Sequence, residues 1–224
     1  MVENESNYLR IDMVSDVVCP WCIIGYQKLL KALDRVKHSR PDLEVEVVFQ
    51  PFELNPNMPP QGQNVNEHIA EKYGADQRTI DDNRARMREV GAELGITFNS
   101  NDQARIYNTF EAHKLLHFAH TMGLQLALKL ALFDAYFSQR LDVSNREVLI
   151  ELALKVGLPE DQSRAVLEGD ELDSVVRAEL QKYINAGVSS VPTFIFEQKY
   201  SINGAQEPQV LQQVIEQLLD APRE

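Results

Sequence analysis

The sequence predicts an α/β protein in which the two ends of the chain share one sheet and the middle is an all-helical insertion. Three observations predict it. Residues 9–49 alternate, turn to a helical period and alternate again, which is a β-α-β opening. From residue 57 to residue 186 the apolar residues follow helical stripes. Residues 193–219 return to two short strand-like runs and a last helix. The expected division is a discontinuous domain of residues 1–56 and 187–224 around an inserted helical domain of residues 57–186.

Each element has a local reason. Leu9 to Val14 alternates and suits a strand. Pro20 stands where a helix accepts proline, in its first turn. Ile23, Tyr26, Leu29, Leu30, Leu33 and Val36 then form a helical stripe. Leu43 to Phe49 alternates as a second strand, and a proline-rich loop, Pro51 to Pro60, follows. Helices are expected at Val65 to Tyr73, Gln77 to Leu94, Thr109 to Met122, Gln125 to Ser138, Arg146 to Val156 and Glu171 to Ala186. Gly95, Gly123, Gly157 and Pro159 punctuate them as helix-ending residues. Thr193 to Phe196 and Lys199 to Ile202 read as strands, and Pro208 to Leu219 as the closing helix.

A hydrophobic share of 44% and a charged share of 25% are ordinary for a globular protein. The net charge of −12 argues against nucleic acid as a partner. The longest apolar candidate, Leu124 to Phe137, is broken by Gln125, Lys129 and Asp134, so no membrane span is expected. The acidic start, Met1 to Asn7, has no basic and apolar leader pattern, and a cytoplasmic location is the expectation.

Only two cysteines occur, Cys19 and Cys22, in Cys19-Pro20-Trp21-Cys22 at the junction of the first strand and helix. In a reducing compartment such a pair is seldom a structural staple. A thiolate, not a thiol, attacks a disulfide, and the positive end of a helix favours a thiolate. Cys19, nearer the helix end, is therefore the expected nucleophile. Cys22, one turn deeper, is the expected resolving thiol. Pro20 and Trp21 between them are expected to tune the pair and touch substrate, although Trp21 equally suits packing. Asp16 reads first as a cap of the turn and second as a group acting on the resolving thiol. Near the other end, Val191-Pro192-Thr193 leads through a loop into a strand, and a cysteine pair followed late by this proline is the pattern of thioredoxin-fold redox proteins.

Longer stretches carry a resemblance. Ser15 to Gly25, Phe49-Gln50-Pro51-Phe52-Glu53-Leu54-Asn55-Pro56, Asn108-Thr109-Phe110-Glu111-Ala112-His113 and Ile202-Asn203-Gly204-Ala205-Gln206 resemble the DsbA-like proteins of the FrnE type. Those are related to 2-hydroxychromene-2-carboxylate isomerases and kappa-class glutathione transferases. The resemblance implies a thioredoxin-like fold with a large helical insertion, acting on protein or small-molecule disulfides. It implies a cis Val191–Pro192 bond facing the cysteines, and substrate contacts from Val191, Pro192, Phe52, Asn55 and His113. A homodimer is a further implication. The related transferases carry serine at the nucleophile position, whereas this chain has Cys19 and keeps Cys22. No prosthetic group is expected, and glutathione enters only as a possible co-substrate.

Three rival readings accompany this one. Cys-x-x-Cys is half of a zinc site, but no other cysteine exists, and no metal is expected. A glutathione-dependent isomerase or transferase is the second, and a non-enzymatic thioredoxin-like binding module the third. His113, His117 and His120 share one helical face, either lining the active-site groove or forming a partly buried face.

Overall fold

The first strand, β1 (Tyr8–Ser15), is buried from Ile11 to its end and becomes one of the two inner strands of the sheet. In the computed structural model, residues 7–221 are described. Residues 1–6, where the reading of an acidic start without a leader mostly falls, and residues 222–224 lie outside the described residues. Helix α1 (Pro20–Ser39) crosses over to β2 (Glu44–Pro51), which pairs parallel with β1 from Tyr8 opposite Glu44 to Ser15 opposite Pro51. The chain returns at its far end as β5 (Thr193–Phe196) and β6 (Tyr200–Asn203). β5 pairs antiparallel with β1, Met13 opposite Phe194, giving the order β2-β1-β5-β6. Leu9, Ile11 and Met13 alternate along β1 and join one apolar cluster with Leu29 and Leu33 of α1 and with Leu211 and Ile215 of α9 (Pro208–Asp220). Each such buried side chain contributes about 1.5–3 kcal/mol.

Between β2 and β5 lie a two-stranded ladder and seven helices. The ladder pairs β3 (Gln63–Asn64) with β4 (Arg105–Ile106). The helices are α2 (Val65–Tyr73), α3 (Gln77–Glu93), α4 (Phe110–Thr121), α5 (Gln125–Phe133), α6 (Arg146–Lys155), α7 (Glu160–Glu168) and α8 (Asp173–Asn185). A second apolar cluster is built from α4, α5, α6 and α7, with Leu115, Leu128, Leu149 and Leu167 all buried.

Three elements differ from the sequence expectation. Helix α7 follows Pro159, which reads as a terminator but serves as the N-cap in extended backbone, with Glu160 and Asp161 in the first turn. The helix expected through Ser138 is α-helical only to Phe133 and continues as a π-helical turn over Asp134–Ser138. The β3–β4 ladder is too short to show a period of two. The β5–β6 hairpin turns through Glu197 and Gln198, both at positive φ (51° and 56°), without the glycine that such a turn favours.

The turn between β1 and α1 is a seam between the two cores. Val17 and Val18 belong to the helical cluster, whereas Cys19 and Cys22 belong to the sheet cluster. The chain thus crosses from one core to the other between Val18 and Cys19.

Candidate active site

Cys19 is the N-cap of α1, with extended backbone and no side-chain cap. Its side chain makes no capping bond and stands at the helix end, where unpaired N–H groups favour negative charge. Cys22 lies one turn in, its N–H bonded to the Cys19 carbonyl at 3.0 Å. Both are free thiols; Cys19 is 3% exposed and Cys22 fully buried. Burial, a hydrogen bond to Cys19 and the charge of that sulfur raise Cys22 well above the ordinary thiol range, against the opposing pull of Lys129. Cys22 is therefore the thiol of the pair that holds its proton the more tightly.

The loop before β5 faces this pair. The Val191–Pro192 bond is cis, and the Val191 carbonyl lies 3.7 Å from Cys19 Sγ. Gly25, in the second turn of α1, explains how the helix approaches that loop. A Cβ at Gly25 would stand 2.9 Å from Pro192 Cγ and 3.2 Å from Phe194 Cζ. A glycine inside a helix costs about 1 kcal/mol, so one here marks close packing.

Asp16 does not cap α1. It is fully buried; Oδ1 accepts the Val17 N–H at 2.7 Å and Oδ2 accepts the Leu54 N–H at 2.8 Å. The His113 ring stands 3.5 Å from Asp16 Oδ1 and bonds the Phe52 carbonyl at 3.0 Å. Burial raises Asp16, but the His113 hydrogen bond and charge, the Leu54 N–H and Lys129 outweigh it and hold the carboxyl below its ordinary value. Asp16 thereby ties the cysteine turn to the 52–55 loop and to α4, because a buried carboxylate recruits every donor in reach. Its neighbour Glu53 is pushed up to about 7 by burial and by the Asp16 charge, against Arg177 and Asn108.

The other expected residues divide. Trp21 is 39% exposed beside the cysteines, an apolar surface rather than a packed side chain, and Pro20 is half-buried. Phe52 enters the Asp16–His113 network through its carbonyl. Asn55 is turned to another task, since its Oδ1 accepts Lys72 Nζ of α2 at 2.9 Å. His113, His117 and His120 all line one cavity between β2 and the helices. No group of three or more metal-ligating side chains is placed for a metal among the described residues.

Sequence reasoning missed Lys129. On α5 it is fully buried, and its Nζ has no hydrogen-bond partner among the described residues. The ammonium lies over the rings of Phe49 (5.5 Å) and Phe133 (5.1 Å), which belong to the same cluster as both cysteines. Burial lowers it to about 8, although Cys22, Asp16 and Cys19 each favour its charge. The available signal was its place on the stripe: Gln125 and Phe133, four residues either side, are both buried.

A four-stranded mixed sheet with an inserted helical block and a buried dithiol at the first helix end defines a thioredoxin-fold redox protein. The chain belongs to the family described as DSBA-like thioredoxin domain, whose model matches residues 10–216. Among its relatives is a probable DsbA oxidoreductase from Streptomyces coelicolor, 30% identical with a TM-score of 0.87, the match covering 96% of this chain and 93% of that one. The uncharacterized protein YwbO of Bacillus subtilis (strain 168) is 28% identical over 191 residues, 84% of this chain and 86% of that protein. At the level of fold alone, the cytosolic disulfide reductase DsbM from Pseudomonas aeruginosa with GSH has a TM-score of 0.63 at 18% identity, covering 95% of this chain and 100% of that one. No helix of the described residues is long and apolar enough to cross a membrane.

Proposed function

We propose that this protein is a cytoplasmic thiol–disulfide oxidoreductase acting on protein or small-molecule disulfides, with Cys19 as nucleophile and Cys22 as resolving thiol. The observation that carries the reading is the unequal environment of the two sulfurs. Cys19 is at the helix end beside the Val191 carbonyl, and Cys22 is buried, raised and donating to it.

In the reducing direction, the Cys19 thiolate attacks one sulfur of the substrate disulfide. A Cys19–substrate disulfide forms and the other substrate sulfur leaves as a thiolate, which takes a proton from solvent. Cys22 then gives its proton to solvent and attacks Cys19 Sγ. The Cys19–Cys22 disulfide forms, the second substrate sulfur leaves as a thiolate, and two electrons have passed from protein to substrate. Oxidation of a dithiol substrate is the same sequence reversed. Lys129 favours negative charge in this pocket throughout.

Pro20, Trp21, Val191 and Pro192 are the proposed substrate rim, Trp21 giving a flat apolar surface and the Val191 backbone a place for an extended peptide. Phe52, Asn55 and His113 complete the set by holding the adjoining loop. Glutathione is the proposed co-substrate thiol that returns the disulfide to the dithiol; no prosthetic group is needed for that exchange.

Two variants and one titration test the reading. Cys19→Ser abolishes turnover of a model disulfide, and Cys22→Ser accumulates a mixed disulfide visible as an added mass. Equilibration with glutathione buffers shows a two-electron couple, near about −270 mV for a reductase or about −120 mV for an oxidant. Absence of a Cys19–Cys22 disulfide at every poise overturns the proposal.

A further inference from the structure

We propose that the cavity between β2 and the helices α4, α5 and α8 is a binding site for a small oxyanion, a phosphate or a short carboxylate. The cavity measures about 200 Å³, room for a ligand of a few non-hydrogen atoms. Its lining gathers basic side chains in a chain whose net charge is −12. Arg10 enters from β1, His117 and His120 from α4, Lys129 from α5 and Lys182 from α8. The one carboxylate in the lining, Glu179, is already engaged with the His117 ring at 3.2 Å.

The charge ledger leaves cationic groups over. Arg10 is held by Asp12 at 2.9 Å and by Glu46 at 3.5 Å, and Glu179 offsets His117. Lys129 has no hydrogen-bond partner, and Lys182 makes no ion pair among the described residues, its ammonium standing 5.2 Å from the Tyr183 ring centre. A cleft with low-dielectric walls and charges of one sign concentrates counter-ions of the other. An occupant of matching charge also relieves the cost of burying Lys129 without a partner. His120 and Lys182 line the cavity and are exposed to solvent, so its wall is open to an anion from outside. The cavity lies beside β2 and is lined by neither cysteine, Trp21 nor Pro192; it meets the thiol site at Lys129 and His113, which belong to its wall and also face the dithiol or Asp16.

The test is calorimetric titration of the full chain with sodium phosphate and, separately, sodium succinate, at constant ionic strength against a chloride control. Saturable one-to-one binding of either anion is the expected result, and the anion that binds identifies the source. His120→Gln/Lys182→Gln, changed at exposed positions that leave the core untouched, binds at least about tenfold more weakly, while Cys19→Ser binds as the unaltered chain does. Binding of neither anion overturns the site, as does equal binding by the double variant. Because Cys19→Ser keeps the anion and loses the redox reaction, failure here and failure of the dithiol reading are distinct results.

Discussion

Two lysines on adjacent helices, Lys114 of α4 and Lys129 of α5, are both buried, and they are treated in opposite ways. Lys114 Nζ donates to the Gly169 carbonyl at 2.7 Å and forms ion pairs with Asp173 at 2.8 Å and Glu111 at 3.6 Å. Its charge is satisfied by the start of α8, the end of α7 and its own helix, so it clamps the helical block. Lys129 has two aromatic faces and no hydrogen-bond acceptor within the described residues. A buried charge so poorly matched costs stability unless it serves something else. What it faces electrostatically is the dithiol and Asp16. Satisfied burial builds the fold, and unsatisfied burial marks the chemistry.

The largest effect is expected from breaking the clamp. Lys114→Met leaves Asp173 and Glu111 without their buried cation and lowers unfolding free energy by about 3–5 kcal/mol. Urea titration measures it, and activity per folded molecule stays unchanged. An equal loss of activity in the folded fraction contradicts a purely structural role.

Lys129→Met sharpens the contrast because its sign is reversed. The folded-state lysine titrates near about 8, below its ordinary value, so its ammonium costs stability at neutral pH. That cost fades as pH rises through about 8 toward the ordinary lysine range of 10.5. The variant is therefore more stable at neutral pH by about 1–3 kcal/mol, with the gain shrinking in alkaline solution. It also reacts more slowly with iodoacetamide at neutral pH, and its alkylation profile moves to higher pH. A variant that is stabilised with an unmoved alkylation profile separates Lys129 from the thiols.

Glu53→Gln gives the smallest change. Its folded-state carboxyl sits near about 7, raised from 4.5, so the cost of ionising it appears as pH rises between those values. The variant gains about 1 kcal/mol above neutrality after allowance for partial solvent screening, and nothing in acid. Stability against pH, read by thermal unfolding, checks the sign.

Much of this molecule was readable in advance because it rests on local rules. The helix Val65–Tyr73 and the strand Thr193–Phe196 lie where periodicity and punctuation put them. The dithiol turn was visible because Pro20 is tolerated only near a helix start. Helix α7 was missed because Pro159 has two local meanings, after a helix or just before one, and only the acidic pair Glu160–Asp161 favours the second. Asp16 was read as a cap because sequence shows its neighbours but not Leu54 or His113, which reach it from elsewhere in the chain. Lys129 looked like a break in an apolar run, since burial of a charge is decided by packing between elements.

The side chain of Gln125 has a consequence for how this sheet is extended. Its carboxamide oxygen accepts the Phe49 N–H and its nitrogen donates to the Phe49 carbonyl, both at 2.9 Å. It fills the ladder position that a further strand would take, and α8 also packs against β2. That edge is closed to strand addition, by a second copy or by any extended peptide. The opposite edge, β6, is mostly exposed, so growth of the sheet has one direction only, away from the helical block.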